Sequence, residues 1–292
     1  MLLSTVLAVA FFRTRIVATS EQTHLMVLTF LPLWLSGALL VGIPTLLAMA
    51  GPVLIRRRLS LERVRANNEV AGFKFATVGV LYAVLLAFAV IVVWEKFGDA
   101  ENHVAEEAGA AATIYRLSAG IGGEAGAQLR SAMDTYLSSA IAEDWPAMAK
   151  GEPSAMTTRA LDAAYTTLLS FTPTDPRGVA LLTENLRQLD VVTQARRARL
   201  VVAAGVVPGI VWFVLFGGAI VTVGFTFFFA TDNLRAQTLM TGALTALIFS
   251  GLLVIVIIDR PFAGTVKVTP EALSLVLHDF GSAVLNGHPA HG

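Results

Sequence analysis

The five histidines, His24, His103, His278, His288 and His291, are scattered along the 292-residue chain, and no His-Glu-x-x-His spacing occurs. There is no cysteine, which removes disulfides, thiolate metal sites and cysteine nucleophiles from consideration. Asp99, His103 and Glu107 recur every fourth residue, one face of a helix, where a metal ion is conceivable. A solvated acidic face on a helix leaving a membrane explains the same spacing more simply, so no metal site is expected. The glycine-rich GIGGEAG (120–126) lacks the Lys-Ser/Thr pair and preceding strand of a phosphate loop, and reads as an interhelical turn. Asp279-Phe280-Gly281 has no kinase context around it, and no Ser-His-Asp set can be assembled. The chain is expected not to be an enzyme and to need no cofactor.

The elements that hold these residues are helices suited to lipid. Hydrophobic residues make up 55% of the chain and charged ones 14%, against about a quarter charged in soluble domains. The net charge is zero, which gives no reason to expect a nucleic-acid partner. Four stretches reach the roughly 20 apolar residues a spanning helix needs. They run from about Leu25 to Ile55, Phe75 to Trp94, Leu200 to Ala230 and Leu239 to Ile258. The first holds Pro32, Pro44 and Pro52 and should kink; the third carries Pro208 in its first turns. The expected fold is all-α: an integral membrane protein of four transmembrane helices with an inserted soluble helical domain. The divisions are a lead-in (1–24, not a signal peptide), helices 1 and 2 (25–95), the soluble domain (96–199), helices 3 and 4 (200–260) and a tail (261–292).

Within the inserted domain, apolar residues recur at helical spacing. Val104, Ala108, Ala111 and Tyr115 mark a helix continuous with the second span. Leu129, Met133, Tyr136, Leu137 and Ile141 mark another, and Leu161, Ala164, Tyr165 and Leu168 a third. Leu182, Leu186, Leu189 and Val192 mark a fourth that should run into the third span. Breaks are expected at 120–126, Gly151–Pro153 and TPTDP (172–176), and a short helix from Pro270 to Phe280.

No span carries an ionisable residue near its middle, whereas proton- and ion-coupled transporters usually need one there. A passive pore does not, since apolar constrictions gate by dewetting. In the second span, Gly72, Ala76, Gly79, Ala83 and Ala87 form a small-residue stripe for helix packing. Val80, Val84 and Phe88 share another face and would form an apolar constriction if several copies surrounded an axis. Ordinary packing within one chain explains both stripes equally well. Trp94, Glu95, Asp99 and Glu106 would then stand at the pore mouth, Trp94 being equally suited to an interfacial belt. Arginines 56–58, 196, 197 and 199 read most simply as headgroup contacts. The short linker after the first span holds six basic residues (56–58, 63, 65 and 74), which slightly favours an external helical domain.

The stretch NNEVAGFKFATVGVLYAVLLAFAVIVVWEKFGDAENHVAEEA (67–108), the EDW around Asp144, RRARL (196–200) and DRPFAG (259–264) resemble the bacterial bestrophin-like family. That family is more distantly similar to the bestrophins, pentameric anion channels whose second helix lines the pore and ends in tryptophans. Here AFAVIVVWEKF holds one tryptophan, Trp94, and their post-helix Pro-Phe-Gly motif corresponds to Asp259, Pro261, Phe262 and Gly264 with Ala263 interposed. No counterpart of the animal calcium clasp is seen. The resemblance implies a homo-oligomeric channel, a pentamer by preference, in a bacterial inner membrane. It implies inorganic ions such as chloride as cargo, and places the helical domain and both termini in the cytoplasm. A non-conducting scaffold or sensor, whose helical domain binds a partner, is the alternative.

Overall fold

A computed structural model describes residues 29–58, 68–229 and 231–285. The lead-in expected over 1–24, the first residues of the expected first span (25–28), residues 59–67 of the linker after it and the end of the tail (286–292) lie outside them. Eight helical segments account for nearly all of the described chain, with no strand among the described residues: α1 (Leu33–Arg58), α2 (Asn68–Ile121), α3 (Gly123–Ser139), α4 (Ala155–Ser170), α5 (Pro176–Ala203), α6 (Gly209–Thr226), α7 (Leu234–Ile258) and α8 (Glu271–Leu285). α3 continues through a π-helical turn, Ala140–Asp144, into Trp145–Met148. α1, α2, α6 and α7 are each long and apolar enough to cross a membrane. The fold is all-α, as expected.

Two compact units emerge. The membrane unit holds the chain up to Trp94 with Val207–Asp259 and Gly264–Val266; the helical unit holds Glu95–Val206, Arg260–Ala263 and the chain from Lys267. α2 belongs to both. No proline interrupts it, and its 54 residues run roughly 80 Å, more than twice a hydrocarbon core of about 30 Å. In α1, a π turn over Ala38–Gly42 comes just before Pro44, whose ring cannot accept the ordinary bond geometry to Leu40.

One boundary differs from expectation. The helix marked by Leu182 to Val192 does not run into the third span: it stops at Ala203, and α6 starts at Gly209. Gly205 takes a positive φ of 106° and Pro208 caps the new helix, so backbone chemistry separates what hydropathy joins. Elsewhere the breaks fall on the expected residues. Gly122 and Gly123 have φ of 70° and 54° between α2 and α3. Ser154 caps α4 and Asp175, followed by Pro176, caps α5, its carboxylate accepting from the Gly178 amide at 2.7 Å.

The helical unit has its own core. Val104, Ala111 and Ile114 of α2, Leu129, Met133 and Leu137 of α3, Leu161, Ala164 and Leu168 of α4, Leu189 and Val192 of α5, and Leu273 of α8 are buried together. α8 is fastened by Phe280 stacked on Tyr115 with ring centroids 3.6 Å apart. The membrane unit packs differently, by side chains entering glycine notches. The Tyr82 ring lies on Gly218, Leu86 on Gly251, Met49 on Gly242 and Phe227 on Gly51.

Candidate functional site

Successive residues turn about 100° around a helix, so Tyr82, Leu86 and Val93 lie on the side of α2 roughly opposite Val80, Val84 and Phe88. The first side faces the chain's own helices: Tyr82 and Val93 are 5% and 0% exposed, and the Tyr82 hydroxyl donates to the Leu215 carbonyl at 3.0 Å. The other side faces away from them, with Val80, Val84 and Phe88 at 63%, 48% and 63% exposure. Between the two lies the small-residue stripe. Ala76, Ala83 and Ala87 are exposed and Gly79 has open space beyond its Cα, while Gly72 alone approaches a neighbour, Phe229.

Trp94 closes this half of α2 with its ring exposed. On the half of α2 in the helical unit, Glu95 and Glu106 are exposed, and Asp99 pairs with Lys96 at 2.9 Å. The hydrogen bond and charge of Lys96 hold the Asp99 carboxyl below its ordinary range, and the same contact raises Lys96. Past α7, the Asp259 carboxylate accepts from the Val207 amide at 2.7 Å, which pins the start of α6 to the end of α7. The Pro261 carbonyl accepts from the Val268 amide at 2.7 Å, and Phe262 is buried edge-on to Trp145, centroids 5.8 Å apart. Gly264 has a φ of 83°, and a Cβ there would press into the Thr29 carbonyl oxygen.

The most concentrated polar chemistry lies inside the helical unit, in a cluster that the sequence reading did not assemble. Arg199 of α5 is fully buried and grips Glu107 of α2 with two bonds, Nε to Oε2 at 2.6 Å and Nη2 to Oε1 at 3.0 Å. Its Nη2 also reaches Asp144 Oδ2 at 3.1 Å, and its guanidinium lies 4.7 Å from the centre of the Trp145 ring. Arg196, one turn earlier, forks onto both Asp144 oxygens, Nε donating to Oδ2 at 2.7 Å and Nη2 to Oδ1 at 3.1 Å. The Tyr136 hydroxyl donates to Glu107 Oε1 at 2.6 Å, and the Ser154 amide donates to Asp144 Oδ1 at 2.9 Å. Burial alone would raise Asp144, but the Arg196 hydrogen bond and the two guanidinium charges bring it below the ordinary carboxylate value. Burial, reinforced by the Glu107 charge, pushes the Tyr136 phenol well above its usual value, so it remains a donor.

Two expectations change here. Arg196 and Arg199 are not headgroup contacts: both are buried, because two carboxylates await them inside. Nor does Glu107 belong to a solvated acidic face with Asp99 and His103, since it turns into the core toward Arg199 while His103 approaches Glu106 at 3.8 Å. Among the described residues no three His, Asp or Glu side chains converge as metal ligands. The signal was present in the sequence: Glu107 falls within the buried register of Ala100, Val104, Ala108 and Ala111, and Arg199 within that of Leu189 and Val192. Opposite charges at core positions of two helices should pair.

Four apolar spanning helices and a separately cored helical unit define a multi-pass helical membrane protein. The bestrophin-like domain family model matches residues 42–273, which takes in the second span, the buried cluster and the turn after α7. The chain belongs to the bestrophin-like family. No curated protein and no solved structure matches it.

Proposed function

We propose that the protein is an ion channel of bestrophin-like type, built from several copies, a pentamer by preference, around a pore lined by α2. One observation carries this reading: the uncharged stretch of α2 from Phe75 to Trp94 presents Val80, Val84 and Phe88 away from its own chain's helices. A row of this kind, brought round an axis, makes a narrow apolar constriction that opens by wetting rather than by titration. Ala76, Ala83 and Ala87, exposed beside it, would let neighbouring copies approach closely. Chloride is the proposed cargo, with Trp94, Glu95, Asp99 and Glu106 at one mouth, and catalysis has no part in this reading.

Val84→Ala widens the proposed constriction, so the purified protein in a planar bilayer should carry severalfold more current than the parent protein. Absence of current from both would sink the channel. The helical unit and both termini are proposed to face the cytoplasm of a bacterial cell whose inner membrane holds the protein. Ser131 is exposed on α3, and Ser131→Cys would be the sole thiol in the chain. On intact cells a membrane-impermeant thiol reagent should leave it unmodified until the membrane is broken; labelling beforehand would reverse the orientation.

A further inference from the structure

The end of the membrane unit where α1 finishes and α7 begins gathers positive charge beside exposed apolar rings. Three arginines end α1. Arg56 turns inward, donating to the carbonyls of Thr231 and Asp232 and to Gln237 Oε1, and so holds the α6–α7 link against α1. The Phe75 ring meets Phe229 edge-on, centroids 5.5 Å apart, which brings the start of α2 to the same end. Arg57, Arg58, Lys74 and Arg235 are exposed here, and no ion pair or hydrogen bond engages them among the described residues. Glu69 and Asp232 are the described acidic residues at this end, so five cations face two carboxylates.

Arg235 is the odd one. It sits in the first turn of α7, where the helix dipole already presents positive potential and the turn itself holds no acidic residue, Asp232 preceding the N-cap. A cation in that position is tolerated best when an anion from outside the chain completes the balance. Beside these charges, Phe73 is 80% exposed, and Phe228 and Leu54 are also open. A soluble anion would neutralise the cations and leave the rings in water. An amphiphile with an anionic head and apolar tails satisfies both at once.

We propose that this end of the membrane unit binds an anionic phospholipid, its phosphate among Arg57, Arg58, Lys74 and Arg235 and its acyl chains against Phe73 and Phe228. Arg56 stays committed to the α6–α7 link and is not part of the binding set. The proposal is independent of conduction and concerns lipid selectivity alone.

The test uses the full-length protein in neutral detergent, offered phosphatidylglycerol or phosphatidylcholine of the same chain composition. Bound lipid is counted by native mass spectrometry and thermal unfolding is followed in parallel. Phosphatidylglycerol should be retained in preference by about tenfold or more and should raise the unfolding temperature. The combined variant Arg57→Gln, Arg58→Gln, Lys74→Gln and Arg235→Gln should bring that preference close to one while unfolding in phosphatidylcholine as the parent does. Should the combined variant fail to fold, Lys74→Gln with Arg235→Gln should lower the preference part of the way. Equal retention of both lipids by the parent, an unchanged preference in the variants, or equal stabilisation by inorganic phosphate would each overturn the proposal.

Discussion

Replacing Arg199 by methionine is expected to destabilise the helical unit by about 3–5 kcal/mol, the usual cost of leaving a buried charge without its partner. Glu107 would lose both of its guanidinium bonds and Asp144 one of its two arginines. Denaturant unfolding of the detergent-solubilised protein measures the loss. Adding Glu107→Gln to Arg199→Met should restore much of it, because Asp144 keeps Arg196 and the glutamine oxygen can still accept from Tyr136. A double variant no better than the single one would mean that the cluster is not a matched set. Acid provides a second reading of the same contacts. The Asp144 carboxyl is depressed in the folded protein, so its contribution is complete above the unfolded value of 3.8 and is lost as the pH falls below it. Arg199→Met removes one of the charges responsible, and acid unfolding should then begin at higher pH than in the parent. An identical acid profile would contradict the assignment.

Gly264→Ala is the second large effect, expected to cost about 2–4 kcal/mol or to abolish accumulation of folded protein. Two penalties coincide there: the φ of 83° is hostile to a side chain, and the new methyl would meet the Thr29 carbonyl, a backbone group that cannot swing aside. Gly281→Ala is the matched control. That residue lies within α8 with open space around it, so alanine should be neutral or stabilising by up to about 1 kcal/mol. Thermal unfolding of the two variants side by side decides the matter, and equal behaviour would show that the turn after α7 adapts freely.

Hydropathy and period alone make the helices of both units legible, because a spanning helix and an amphipathic helix each write their burial into residue spacing. The α2–α3 turn was equally readable, since Gly122 and Gly123 supply the positive φ it needs. The end of α5 was harder: Leu200 to Val202 look as apolar as the span beyond, and only Gly205 and Pro208 mark the stop. The buried cluster was hidden for another reason. Glu107, Asp144 and Arg199 are far apart in the chain, and charged residues are presumed exposed unless a partner is known. Periodicity places Glu107 and Arg199 at core positions of their helices, but which charge meets which is a tertiary property. Faces of α2 were distinguishable as stripes, yet which stripe meets the chain's own helices depended on the Gly218 and Gly251 notches across from Tyr82 and Leu86.

The buried cluster also has a long-range consequence. Arg196 and Arg199 stand at bonding distance from Asp144 and Glu107, so two positive and two negative charges cancel within a few ångströms. Opposed charges that close leave only higher multipoles, whose potential dies away much faster than that of a lone ion. An ion passing at a Debye length of about 8 Å would feel almost nothing from this interior. Any electrostatic preference the helical unit exerts on dissolved ions must therefore come from its skin, where Glu95 and Glu106 stand exposed to water, Glu106 near His103, beside the Lys96–Asp99 couple.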